Sequence, residues 1–121
     1  MVARHLKSGR FGEEMARIFL AKQGYEVLEL NWRCRYGELD LICRDQQAVI
    51  FVEVKTRGST FFGRPEEFVK RQKQKFIIRA ANAYIEKHDL DMEARFDVIG
   101  VIVNPRGKEI NHIEDAFSPL I

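Results

Sequence analysis

The sequence predicts an α/β domain, in which helices flank one mixed β-sheet. The main observation is the order of patterns along the chain: a helical segment, three strand-like segments, a second helical segment and two more strand-like segments. The strands next to the second helix are apolar and β-branched, which is typical of buried strands. A long helix between two such strands crosses over between them, so the sheet contains parallel as well as antiparallel pairs.

The first half of the chain carries one helical pattern and three strand patterns. Apolar residues at helical spacing predict a helix over about residues 9–23, followed by Gly24 as a C-terminal cap; they are Phe11, Met15, Ile18 and Phe19. Strands are predicted over 25–32, 38–44 and 48–56, the last being the apolar run AVIFVEVKT and the central strand. A short turn at 45–47 joins the last two strands as a hairpin.

The second half begins with a predicted loop at 57–65, which contains two Gly and one Pro. A long helix from about Glu66 to Lys87 follows. One stripe of this helix is apolar and consists of Val69, Phe76, Ile77, Ala80 and Tyr84. A buried strand over 95–103, a turn at 104–107 and an edge strand over 108–114 complete the chain.

Length and composition exclude several classes of protein. The 121 residues are 45% hydrophobic and include nine Phe. We therefore expect one domain over residues 1–121 that buries a hydrophobic core without stabilising cross-links. Cys34 and Cys43 are expected to be reduced thiols, and neither has metal-ligand spacing to another Cys or to His, which excludes structural zinc. No secretory signal and no apolar run near the ~20 residues of a membrane span is present. We therefore expect a cytoplasmic protein without a membrane partner.

Charged residues interrupt the apolar strands at one place. Glu53 and Lys55 lie on the same face of the third strand as Val49 and Phe51. The hairpin turn brings Asp40, which stands between two leucines, close to them. Buried carboxylates need partners or a metal, and Mg²⁺ is bound through one or two carboxylates and waters. A Glu53–Lys55 salt bridge at a strand end is the structural alternative, but Asp40 on the neighbouring strand favours a functional site.

Basic residues cluster on both sides of this acidic group, although the net charge is only +2. Lys73 falls on the apolar stripe of the second helix, where its side chain either extends to solvent or points into a cleft beside the sheet. The clusters suit a phosphate-containing partner and comprise Arg4, Lys7 and Arg10, then Arg33 and Arg35, and finally Lys70, Arg71, Lys73 and Lys75.

Two motifs together resemble a known superfamily. The segments GELDLI at 37–42 and FVEVKTR at 51–57 resemble those of the PD-(D/E)xK nucleases and, more closely, of the YraN-like family of predicted endonucleases. The likeness extends over nearly the whole chain, and the family is similar to archaeal Holliday-junction resolvases. The superfamily's motif proline is replaced by Leu39, as in the YraN-like pattern itself. Asp97, preceded by Arg95 and Phe96, also matches the family pattern, and we expect it either to have a structural role or to support the site residues from behind.

The resemblance implies a restriction-endonuclease-like core and metal-dependent hydrolysis of DNA phosphodiester bonds. It implies that Asp40, Glu53 and the Val54 carbonyl bind Mg²⁺, with Mn²⁺ as a substitute, and that Lys55 positions the attacking water. Glu13, eleven residues before Gly24, matches a glutamate of the resolvases and would complete the site directly or through water. A helical wheel places Glu13 and Glu14 equally well, so only the resemblance selects Glu13. The expected phosphate or nucleic-acid contacts are Lys73, Arg57, Arg33 and Lys70.

Two other functions are compatible with the sequence. One is a nucleic-acid-binding module without cleavage, and the other is an accessory protein-interaction domain that uses Phe61 and Phe62. No recognition-helix motif or zinc finger is present, so we expect selectivity for DNA shape, such as a branched or four-way junction, with RNA left open. Dimerisation is common among resolvase-like enzymes, which makes a homodimer a further expectation.

Overall fold

The computed structural model describes residues 2–58 and 69–119, with side chains from residue 9 onward. Two helices flank one five-stranded sheet, which confirms the predicted α/β class with a restriction-endonuclease-like core. The elements in chain order are α1 (Val2–Lys22), β1 (Glu26–Cys34), β2 (Gly37–Arg44), β3 (Ala48–Arg57), α2 (Arg71–Lys87), β4 (Glu93–Asn104) and β5 (Gly107–Phe117).

The strands lie in the sheet in their chain order, from β1 at one edge to β5 at the other. All neighbouring pairs are antiparallel except β3 and β4, which are parallel. Helix α2 connects these two strands, as the crossover expected from the sequence requires. The mixed sheet thus follows from a single helical connection in an otherwise hairpin-linked chain.

Each face of the sheet buries its own hydrophobic cluster. Side chains along β3 alternate between the faces, so this central strand is apolar at nearly every position. The cluster on the α1 side contains Ala16, Leu20, Leu41, Cys43, Ala48, Ile50, Val52, Ile99 and Val101. The cluster on the α2 side contains Leu39, Ile42, Val49, Phe51, Val69, Ile77, Ala80, Ala81, Tyr84, Phe96, Val98 and Phe117.

Helix α1 contacts the sheet through a row of residues four apart, two of which are small, and Met15 and Phe19 are partly buried beside this row. Gly12, Ala16 and Leu20 are buried at a spacing of four residues, whereas Phe11 and Ile18 are 41% and 40% exposed. The predicted contact stripe was therefore wrong for these two residues, because the small side chains allow the helix backbone to lie close to the strands.

Helix α1 differs from the prediction at its N-terminal end, whereas its C-terminal end agrees with it. The helix begins earlier, at Val2, and ends at Lys22, while Gly24 forms the predicted C-terminal cap with φ 97°. The cap is a Schellman motif, since the Tyr25 N–H donates to the Leu20 carbonyl at 3.1 Å and the Gly24 N–H to the Ala21 carbonyl at 3.1 Å.

Helix α2 begins later than predicted, at Arg71 rather than at Glu66. Lys70 is extended, with φ −64° and ψ 153°, and Val69 is buried in the α2-side cluster although it precedes the helix. Residues 66–68 lie outside the described part of the chain. Within the helix, Ile77, Ala80 and Tyr84 are buried as predicted, but Phe76 is 47% exposed.

The remaining predictions concern loops, strand ends and thiols. Both predicted turns are present, and the turn before β3 is stabilised by Asp45, whose Oδ1 accepts the Gln47 and Ala48 N–H groups at 2.8 Å. Strand β5 continues to Phe117 through a bulge, beyond the predicted end at residue 114. Most of the predicted 57–65 loop, with Phe61 and Phe62, lies outside the described residues.

The two cysteines are free thiols, as expected. Burial raises the pKa of the Cys43 thiol to about 12. Among the described residues, no helix is long and apolar enough to cross a membrane.

Candidate active site

Strands β2 and β3 separate at Asp40. Their pairing extends only as far as Leu41 opposite Val52, and beyond it the Val54 N–H donates to Asp40 Oδ2 at 2.8 Å. Leu39 and Leu41 pack into clusters on opposite faces of the sheet, so the regular alternation of side chains breaks at Asp40. A carboxylate therefore stands between two strands where a backbone carbonyl would otherwise accept the hydrogen bond.

The neighbouring strand β1 is irregular at the same level. Leu30 lies opposite Leu41 and Trp32 opposite Leu39, so Asn31 faces Asp40 across the sheet. Asn31 has φ 51°, a left-handed conformation that asparagine tolerates better than most residues. Its Nδ2 donates to Glu13 Oε1 at 2.9 Å and to Glu38 Oε1 at 3.2 Å.

Sequence reasoning did not identify Asn31 as part of the site. The available signal was an asparagine in the middle of the strand pattern LELNWRC, because asparagine is depleted in strands.

Glu53 is the most deeply buried acidic side chain of this group, with only 6% exposure. Two lysines compensate its charge: Lys55 Nζ lies 3.6 Å and Lys73 Nζ 3.7 Å from Glu53 Oε2. Lys55 comes from the same strand and face, and Lys73 comes from α2. The sequence allowed the Lys73 side chain either to extend to solvent or to point into a cleft beside the sheet. In the structure it points toward the Glu53 carboxylate.

Asp40 and Glu53 form an acidic pair whose negative charges repel each other. Burial, and after it the negative charge of Glu53, raises the pKa of Asp40 to about 8, against the lowering effect of the Val54 hydrogen bond. The closeness of the Glu53 carboxyl group and the charge of Glu13 raise this pKa further. Without a bound cation, a proton on Asp40 therefore relieves the repulsion.

The two candidate glutamates of α1 have different surroundings. Glu13 accepts the Asn31 hydrogen bond and lies close enough to Asp40 to affect its pKa. Glu14 forms an ion pair with Arg17 at the surface, and the hydrogen bond from Arg17 lowers the pKa of Glu14. Of the two, Glu13 is thus the residue on the Asp40 side of the helix.

Close packing of α1 on β3 brings Glu13 to this position. A Cβ atom built at Gly12 would overlap the Thr56 hydroxyl, so the helix approaches the end of β3 at a distance that only glycine allows.

The other predicted nucleic-acid contacts lie on β1, at the end of β3 and directly before α2. Arg33 is 84% exposed and pairs with Glu38, whose Oε2 accepts from Arg33 Nε at 2.9 Å. Arg57 ends β3, two residues beyond Lys55, and its Nη1 donates to the Thr56 carbonyl at 2.9 Å. Lys70 is exposed and immediately precedes α2.

The donor set fits a hard divalent cation. Asp40 and Glu53 supply carboxylate oxygen atoms at one place, and Mg²⁺ commonly uses one or two carboxylates and keeps several waters. No cluster of three or more His, Cys, Asp or Glu suited to a metal occurs within the residues described. Two carboxylates without nitrogen or sulfur ligands therefore suit Mg²⁺ or Mn²⁺ rather than zinc.

Asp97 belongs to a separate network. Its oxygens accept from Arg95 Nη2 at 2.8 Å and from the Asp115 N–H at 3.0 Å, and one of them contacts His112 Nε2 at 2.8 Å. These contacts join β4 to β5 and agree with the structural one of the two roles expected for this residue.

Comparison with known proteins gives a consistent family. The model of "Uncharacterised protein family UPF0102" matches residues 12–101. A UPF0102 protein of Flavobacterium psychrophilum is 43% identical over 116 residues, covering 96% of this chain and 98% of the relative. A UPF0102 protein of Syntrophomonas wolfei is 46% identical over 110 residues, covering 90% of this chain and 96% of the relative. The chain therefore belongs to the UPF0102 family, the YraN-like family that its motifs resemble.

Proposed function

We propose that this protein is a metal-dependent endonuclease that hydrolyses DNA phosphodiester bonds, with a preference for branched DNA such as a four-way junction. The observation that carries the proposal is the Asp40–Glu53 pair, set where β2 and β3 separate and accompanied by Lys55. Simple ion pairing accounts for Glu53 and its lysines. It does not account for a second carboxyl group placed against Glu53.

The acidic residues of the chain would hold the cation. Asp40, Glu53 and the Val54 carbonyl are the proposed ligands of Mg²⁺, for which Mn²⁺ can substitute. A bound divalent cation supplies Lewis-acid stabilisation of the charge that develops on the phosphate. The Val54 N–H fixes the orientation of Asp40 through its 2.8 Å hydrogen bond, and Asn31 fixes that of Glu13.

Lys55 is the proposed catalytic residue for the proton and charge changes of hydrolysis. Its side chain is 23% exposed and forms an ion pair with the buried Glu53, so the ammonium group is held in place and still reaches solvent. In this position it can orient the attacking water and stabilise negative charge on phosphorus. Lys73 offers a second ammonium group from α2 at the mouth of the same site.

The basic residues around the site would position the DNA backbone. Arg33, Arg57 and Lys70 are the proposed phosphate contacts, and such contacts fix register without reading sequence. A homodimer would present two sites and favour paired cuts in a two-fold substrate. Preference for a four-way junction over linear duplex is therefore part of the proposal.

The test is a cleavage assay with linear duplex, single strand, flap and four-way junction, each with Mg²⁺, with Mn²⁺ and with EDTA. The wild-type protein is compared with Asp40→Asn, which keeps an oxygen for the Val54 N–H, and with Asp91→Asn, an exposed aspartate, as the matched control. We expect divalent-ion-dependent cleavage by the wild type and by Asp91→Asn, and none by Asp40→Asn.

Two results would contradict the proposal. Cleavage that persists in Asp40→Asn would come from a contaminating nuclease. DNA binding without any cleavage would instead favour the nucleic-acid-binding module.

A further inference from the structure

We propose that a cavity between the tip of the β1–β2 hairpin and α2, hereafter the hairpin cavity, binds an unpaired nucleobase of the substrate. The inference rests on the proposed function and narrows its substrate class. The preferred DNA then carries unpaired nucleotides next to the cleaved bond, as flaps and opened junctions do.

The hairpin cavity has the size and lining of an aromatic-ring site. Its volume is about 210 Å³, and a cavity of about 150 Å³ already accommodates a benzene ring. Its walls are mainly aromatic and aliphatic, formed by Tyr36, Leu39, Phe76, Ile77 and Ala80.

Phe76 is the clearest sign of a ligand surface. It lies on the apolar stripe of α2, yet its side chain remains 47% exposed. Gly37 faces it, and a Cβ atom there would lie 3.5 Å from two atoms of the ring. Because Gly37 has φ 137°, the hairpin turn favours glycine here, so no side chain from this position covers the Phe76 ring. Exposed aromatic faces of this kind stack bases in proteins that bind single strands.

Two residues connect the hairpin cavity with the carboxylates. Lys73 lines the cavity and also lies 3.7 Å from Glu53. Glu38 lines the opposite side and accepts a hydrogen bond from Asn31, which also binds Glu13. A base in the cavity would therefore bring its sugar and phosphate to the edge of the Asp40–Glu53 site.

The charge around the rim suits a nucleotide better than an apolar peptide. The Arg35 guanidinium lies 4.9 Å from the centre of the Tyr36 ring and its Nη2 donates to the Tyr36 hydroxyl at 2.8 Å. Together with Lys73, which lines the cavity, and Arg33, which pairs with the lining Glu38, it places cations beside an apolar interior. A nucleotide matches this arrangement, because its base can enter the apolar cavity while its phosphates contact the cations outside it.

The test measures binding in EDTA, where cleavage does not interfere. Oligonucleotides with 2-aminopurine at one unpaired position are titrated with wild type, with Phe76→Ala and with Phe76→Trp. Phe11→Ala is the matched control, since Phe11 is an equally exposed phenylalanine on the other helix, at 41%. Thermal unfolding verifies that all variants are folded, and a fully paired duplex serves as the comparison ligand.

We expect Phe76→Ala to weaken binding of single strands and flaps by about tenfold, with duplex affinity changed less than about twofold. Fluorescence of the 2-aminopurine should be quenched on binding to wild type and to Phe76→Trp, but not on binding to Phe76→Ala. Equal affinities of Phe76→Ala and Phe11→Ala, or no quenching by the wild type, would overturn the proposal.

The two proposals fail in different ways. If Asp40→Asn abolishes cleavage and Phe76→Ala changes neither binding nor quenching, the nuclease stands and the base site is wrong. If Phe76 discriminates between single strand and duplex but no metal supports cleavage, the base site stands and the nuclease is wrong.

Discussion

Asp40 has two opposing effects on the stability of the fold. Its Oδ2 takes the place of a strand carbonyl for the Val54 N–H, which stabilises the separated strands. Its charge, however, is partly buried against Glu53, and burial followed by the charge of Glu53 raises the pKa of Asp40 to about 8. A site that is unfavourable without its ligand is a common property of functional carboxylates.

Replacing Asp40 should therefore stabilise the metal-free protein at alkaline pH. The folded protein keeps a proton on Asp40 between about pH 4 and 8 that the unfolded chain releases, so the wild-type free energy of unfolding falls as pH rises through this range. Asp40→Asn removes this dependence, and we expect it to be more stable than wild type by roughly 1–3 kcal/mol at pH 8. Urea unfolding in EDTA between pH 5 and 8.5 measures the difference.

Asp91→Asn is again the control and should retain the wild-type pH dependence. Added Mg²⁺ should raise the stability of wild type at pH 8 but not that of Asp40→Asn, because only the former has both carboxylates. An equal response of the two proteins to Mg²⁺ would place the cation elsewhere.

Lys55 provides a second prediction for a single residue. Lys55→Met keeps the aliphatic stem and removes the charge, and Lys73 still compensates Glu53. We expect DNA cleavage to slow by about 10²–10⁴-fold, while the midpoint of thermal unfolding and the DNA affinity stay near wild type. Lys87→Met, at the exposed C-terminal end of α2, is the control. Unfolding of Lys55→Met alone would instead favour a purely structural ion pair.

Among the elements, α1 determines how close Glu13 comes to the sheet. Two of its buried positions, Gly12 and Ala16, carry little or no side chain, and at Gly12 the helix meets the β-branched Thr56. A stiff threonine side chain adjusts poorly to an added methyl group. The distance between α1 and β3 thus depends on one glycine.

Gly12→Ala should destabilise the protein by about 1–3 kcal/mol, because its methyl group overlaps Thr56. Gly9→Ala is the matched substitution in the same helix, where an added Cβ meets no atom within 4 Å. It should instead stabilise by up to about 1 kcal/mol through helix propensity. Denaturant unfolding separates the two, and adding Thr56→Ala should restore part of the loss in Gly12→Ala. Equal effects of both glycine substitutions would show that the close approach is unimportant.

At the scale of the whole molecule, the Asp97 network joins distant parts of the chain. Arg95 Nη2 contacts Asp97 at 2.8 Å, the Tyr25 hydroxyl at 3.0 Å and Glu114 Oε1 at 3.3 Å, so the start of β1, β4 and the β5 bulge meet there. Burial alone would raise the pKa of Asp97, but the hydrogen bonds from His112, Arg95 and the Asp115 N–H outweigh burial and hold the pKa below its usual range.

Asp97→Asn should lower the free energy of unfolding by about 3 kcal/mol at pH 7, because the Arg95 guanidinium loses its buried partner. The carboxylate stabilises the wild type above about pH 4, and this contribution is lost as pH falls through the lowered pKa. The difference between the two proteins should therefore shrink from pH 7 to pH 3 in chemical denaturation. A difference independent of pH would mean that the ionised form of Asp97 is not what stabilises the fold.

Local patterns in the sequence were sufficient for the element order, the hairpin turns and the proximity of Asp40 to Glu53 and Lys55. Alternation along a strand and the chemistry of a short turn are properties of neighbouring residues, so they can be read without the fold. The family match likewise follows from the sequence alone.

Tertiary packing decided the rest. The exposure of Phe76, the start of α2 after an extended Lys70, and the choice between Glu13 and Glu14 depend on which surfaces meet. Asn31 shows the same limit, because an asparagine within a strand pattern does not by itself indicate the left-handed conformation that it has in β1 beside Asp40. Contacts between residues far apart in the chain carry no periodic signal, and so they become visible only once the helices lie on the sheet.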